Sequence, residues 1–79
     1  MPTRAEYARF TEYLLTVPGE AVTLSFERIE RIIGAHLPPT AYDWEPFWSN
    51  SPSHPLAKAW RDAGWSGVGV APLLLTPRN

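Results

Sequence analysis

Residues 37–65 read LPPTAYDWEPFWSNSPSHPLAKAWRDAGW, and they hold all four tryptophans of the chain: Trp44, Trp48, Trp60 and Trp65. Tyr42 and Phe47 stand among them. Tryptophan fills a core or grips a ligand, and its N–H asks for a partner in either place. Such density marks the keystone of a small fold or a recognition surface. The second half of the stretch is regular. Ser53 is a candidate N-cap for a helix with Pro55 in its first turn. Leu56, Ala59, Trp60 and Ala63 then share one side, Lys58, Arg61 and Asp62 lie elsewhere, and Gly64 stops the helix. The first half is not regular. Pro38 and Pro39 break any pattern, a helical turn can start near Pro39 or Thr40, and Asp43 to Pro52 reads as irregular and aromatic.

Upstream, Thr3 and Glu6 have capping-box spacing. Tyr7, Phe10, Leu14 and Val17 recur at helical intervals, which predicts a helix over 4–16 ended by Val17-Pro18-Gly19. Ala21 to Leu24 is a short β-prone run. Ser25 caps a second helix over 26–33 with Phe26, Ile29, Ile32 and Ile33 on its apolar side and Gly34 at its end. Downstream, Val68 and Val70 share a face of one strand, and Leu73, Leu74 and Leu75 form a second, with Ala71-Pro72 at the turn. Gly67 and Gly69 weaken the first strand, and they permit twist or close backbone approach.

The order is helix, strand, helix, turn, helix, strand, strand. This predicts an α+β fold of the winged helix-turn-helix kind, with three helices and a small antiparallel sheet, as one domain over 1–79. At 79 residues a single core contributes only a few kcal/mol net, so reinforcement is needed. There is no cysteine, and only His36 and His54 could serve as imidazole ligands, so neither a disulfide nor a structural zinc is expected. The aromatic cluster, nine prolines or a partner chain must supply the reinforcement.

The segments LSFERIERIIGAHLPPTAY (24–42), FWSN (47–50) and HPLAKAWRDAGW (54–65) resemble a family of short bacterial, archaeal and viral domains of uncharacterised function. That family shows an L-[ST]-F-x-x-I-E helix start, an L-P-x-[ST]-A turn, a W-W-x-N block and an H-x-x-A-x-A-W-x-x-A-G-W helix before a hairpin. Phe47 departs from it where a tryptophan is more usual, and Leu73 to Arg78 departs from a V-x-F-x-R ending. The resemblance spans roughly the C-terminal three-quarters of the chain. It implies a fold and no established activity.

The net charge of −1 lacks the basic excess of a dedicated phosphate-backbone binder. No apolar run approaches the ~20 residues of a membrane span. MPTRAEYARF (1–10) is too polar and acidic for a signal peptide, so the expected location is the cytoplasm, in a bacterium or in a host cell if the protein is viral. No catalytic motif, paired carboxylate or cofactor loop is visible, and no cofactor is expected. Glu30 is better explained as an acceptor for an arginine, an indole or a backbone N–H than as an acid–base group.

The first functional reading is a non-enzymatic DNA-binding domain, or part of a DNA-linked regulatory assembly. Asn50, Ser53, His54, Lys58 and Arg61 would approach nucleic acid at the third helix, beside a contact surface of Trp48 and Arg78. Arg28 or Arg31 would extend the basic patch. The structural alternative stands beside it. Asn50 and Ser53 also suit a loop and a cap, Trp48 also suits the core, and two cations on a helix face are ordinary. Trp60 and Trp65 read as core. The second functional reading is a protein-interaction module on the same fold, with a homodimer or a host protein as partner, as in a virus-encoded inhibitor.

Overall fold

The computed structural model of the chain describes residues 2–19, 21–51, 53–69 and 73–77. Its first helix, α1, runs Arg4–Thr16. The capping box forms: Glu6 N donates to Thr3 Oγ1 at 3.2 Å, and Thr3 N donates to Glu6 Oε1 at 2.8 Å. Tyr7, Phe10 and Leu14 are buried along one side, as their spacing requires. Strand β1 is Val22–Leu24. Helix α2 is Phe26–Ile33, and Ser25 caps it by accepting from Arg28 N. Gly34 ends α2 at φ 75° in the left-handed region. Arg9 Nη1 donates to Ile33 O at 3.1 Å, so a cation from α1 sits on the carbonyl end of α2, where the helix dipole favours it. A Cβ at Gly34 would run into that guanidinium.

The irregular stretch takes shape through Trp48. Helix α3, Thr40–Asp43, is a single turn, and a 3₁₀ turn follows over Glu45–Trp48. Trp48 is 6% exposed, lies flat on Phe26 at 4.8 Å between ring centroids, and donates its indole N–H to Ala41 O at 2.7 Å. One side chain therefore locks the 3₁₀ turn onto α3 and both onto α2.

Helix α4, Pro55–Asp62, is the third helix of the sequence reading. The expected cap at Ser53 is corrected here. His54 occupies the N-cap position without a side-chain cap bond. Ser53 instead meets Ser51, hydroxyl to hydroxyl at 2.8 Å, and its own N–H donates to Ser51 Oγ. The physical reason is the turn closed by His54 N on Ser51 O, which places Ser53 one residue too early to reach the amides of α4. Leu56, Ala57, Ala59 and Trp60 are buried. Thr11 Oγ1 donates to Ala59 O at 2.9 Å and ties α4 to α1.

Strands β2, Trp65–Gly69, and β3, Leu73–Pro77, complete an antiparallel sheet in the order β1-β3-β2. Gly67 pairs with Leu75 and Gly69 with Leu74, so Val68 is extruded in a bulge and is exposed. A Cβ at Gly67 would stand 3.0 Å from Trp60 Cζ2. The close approach expected of this glycine is thus made to an indole rather than to another backbone. The chain is α+β, in the expected element order. Phe10, Leu14, Ile29, Ile33, Leu56, Trp60, Leu73 and Leu75 are fully buried between the helices and the sheet. Val70 and the expected turn at Ala71-Pro72 lie outside the described residues.

Gly34→Ala should lower stability by about 1–2 kcal/mol, from left-handed strain and displacement of Arg9. Urea unfolding should show a lower midpoint at unchanged slope, and an unaltered midpoint would refute this account of the α2 terminus.

Candidate functional site

Asn50 lies on the loop between the 3₁₀ turn and α4, and its amide faces inward. Oδ1 accepts from Trp60 Nε1 and from Gly67 N, each at 2.8 Å, and Nδ2 donates to Gly67 O at 2.9 Å. β2 is an outer strand of the sheet. The amide of Asn50 therefore engages both backbone groups of Gly67 as a residue of a neighbouring strand would. Reading an adenine needs the same two amide atoms, which are engaged here within the fold. Arg61 is tied to the same loop, with Nη1 on Asn50 O at 2.8 Å. Trp48, placed by sequence on a contact surface, is in the core, because its N–H finds Ala41 and its ring finds Phe26. Arg78 lies outside the described residues.

The other predicted residues gather at the start of α4. Ser53 is exposed and His54 half-buried. Lys58 lies one turn on, its Nζ 2.8 Å from Asp62, with both side chains more than half exposed. Exposed pairs of this spacing contribute only about 0.3–0.5 kcal/mol, so Lys58 is readily available to another anion. The Trp44 ring, 49% exposed, meets the His54 ring edge-on at 5.5 Å between centroids. Between α1 and α4 runs a groove of about 580 Å³, with Arg4 and Tyr7 on one wall and Ser53 and Lys58 on the other.

Sequence reasoning missed Trp44 and Arg4 as neighbours of this surface. Trp44 follows an acidic residue and lies two before a proline, and these flanks are the available signal that it stays near water. Arg4 carries no signal, because α1 and α4 meet only in the folded chain.

A second cluster forms around Glu30. Its Oε2 accepts from the Tyr42 hydroxyl at 2.6 Å and from Leu37 N at 2.8 Å, and His36 Nδ1 stands 3.6 Å away. The expectation of a backbone N–H partner is met at Leu37. The Tyr42 hydroxyl, followed by Leu37 and His36, holds the Glu30 carboxyl below its ordinary value of 4.5, against the opposing effect of burial. Tyr42 is raised in turn, mainly by its bond to Glu30. The cluster fastens the segment after α2 to the helix. Among the described residues, no group of His, Cys, Asp or Glu side chains is arranged to hold a metal, and no helix is long and apolar enough to cross a membrane.

Asn50→Ala should cost about 1–3 kcal/mol, chiefly because the N–H of the buried Trp60 loses its acceptor. Chemical denaturation measures this, and a loss under about 1 kcal/mol would mean that the amide is dispensable. Tyr42→Phe should cost about 1 kcal/mol near neutral pH. A carboxyl depressed in the folded state stabilises above its unfolded value and loses that contribution as pH falls through the folded one. The gap between wild type and Y42F should therefore narrow as pH drops below 4.5, and a gap independent of pH would contradict the assignment.

A search of curated proteins and of solved structures finds no match. The family model of a domain of unknown function, DUF7662, matches residues 7–73, from the second turn of α1 to the first residue of β3. The match takes in every element that builds the Asn50 contacts and the start of α4, and the chain belongs to the DUF7662 family.

Proposed function

We propose that this chain is a small non-enzymatic binding domain that holds nucleic acid against the first turns of α4, on a winged-helix-like scaffold. The reading is carried by one observation. Ser53, His54 and Lys58 stand together at the exposed start of α4, beside the half-exposed indole of Trp44. Hydroxyl and ammonium groups suit phosphate oxygens, and an exposed indole suits the face of a base. The element order and the sheet order β1-β3-β2 support the scaffold. One difference from a compact helix-turn-helix is the insertion between α2 and α4 of α3 and the 3₁₀ turn, where that motif has a turn of three or four residues. This insertion brings Trp44 to the edge of α4. Asn50 and Arg61 brace the surface from behind.

A protein partner or a second copy is the other reading. It is favoured by exposed apolar side chains outside α4, namely Leu15 at 66%, Val68 at 58% and Tyr42 at 52%.

Fluorescence anisotropy with labelled duplex and single-stranded DNA, at about 50 mM salt, tests the first reading. Binding should weaken with added salt. Lys58→Gln should weaken it about five-fold and reduce the slope of log affinity against log salt by about one. Failure of both DNA forms to bind would overturn the reading, and a dimer in sedimentation equilibrium would then favour the other.

A further inference from the structure

We propose that the groove between α1 and α4 seats the sugar–phosphate backbone of a nucleic-acid strand, with Arg4 and Lys58 as its cations and Asp62 as a built-in attenuator. The proposal rests on the nucleic-acid reading above and extends it to a residue of α1. The groove encloses about 580 Å³, within the range of ligand clefts. It is preformed, because Thr11 is bonded to Ala59 O and holds the two helices together below it. Small and apolar residues, Ala8, Pro55 and Ala59, form much of its lining. Such a floor is indifferent to a bare inorganic anion, but it accepts the apolar faces of sugars.

Charge narrows the occupant further. Arg4 and Lys58 face Asp62 along the groove, a local balance of +1 (two cations less one carboxylate) in a chain of net −1. The groove therefore carries a small positive excess on a slightly negative molecule, and that excess favours a phosphate. Asp62 opposes this preference in two ways. It occupies Lys58 at 2.8 Å, and its own charge repels a phosphate. An arriving phosphate must take Lys58 from it, so the affinity is set below what the two cations alone would give.

Anisotropy titration of a short labelled single strand and of the same sequence as duplex tests this, using wild type, Arg4→Gln, Asp62→Asn and, as a charge-matched control on the exposed side of α2, Glu27→Gln. Circular dichroism checks each fold. Asp62→Asn should tighten binding about three- to ten-fold, Arg4→Gln should weaken it by a similar factor and lower the salt slope by about one, and Glu27→Gln should change little. If DNA binds and Lys58→Gln weakens it while Arg4→Gln and Asp62→Asn leave it unchanged, the groove is not the seat and the α4 reading stands. If no variant binds either form of DNA, both proposals fall. Arg4 is exposed at the first position of α1 and Asp62 at the end of α4, so loss of the fold in one variant leaves the other as the test.

Discussion

The bond from the Trp60 indole to Asn50 Oδ1 is the constraint on which the rest of this small structure depends. Trp60 is fully buried at the centre of the core, where it supplies the bulk that a chain without disulfides requires. A buried indole N–H without a partner costs about 1–3 kcal/mol, a large fraction of what so short a chain has in hand. Asn50 supplies the acceptor, and the rest of its amide bonds to Gly67 N and O. One side chain thus joins the loop before α4, the helix itself and the outer strand. Gly67 is fixed by the same contact, since the indole leaves no comfortable room for a Cβ. The bulge at Val68 follows directly after that close approach.

The charged residues follow a similar logic. Arg9 serves the end of α2, Arg61 serves the Asn50 loop, and Arg28 lies over the Tyr13 ring at 6.0 Å. The first two guanidiniums work as long, forked hydrogen-bond donors that fasten elements together, and the third covers an aromatic face. Net charge is for this reason a poor guide to what such a chain binds. What matters is which cations remain open to solvent, and Arg4 and Lys58 are two of them, on the walls of one groove.

Local chemistry explains what was legible in advance. The bounds of α1 and α2 follow from Thr3, Glu6, Ser25 and Gly34, whose partners lie within one helical turn of them. The burial of Trp60 and Trp65 was likewise readable, because Trp60 shares a face with Leu56 and Trp65 opens a strand after the stop at Gly64. Trp44 and Trp48 were not separable. They sit in a stretch with no period, and burial there is decided by whether Phe26 and Ala41 are within reach. Ser53 matched the residue type of a cap but not its position, because the turn closed at Ser51 shifts the helix start by one residue.

By itself, then, the sequence determined the three main helices, the strands, their order and the α+β class, since helix caps, apolar periodicity and turn residues act over a few positions of chain. Tertiary structure decided which polar groups are free. Asn50 is ten residues from Trp60 and seventeen from Gly67. Arg4 and Lys58 stand more than fifty residues apart in the chain and border one groove. Hydrogen bonds act over about 3 Å and charges over about 10 Å, so distances along the sequence do not reveal them until the core has closed.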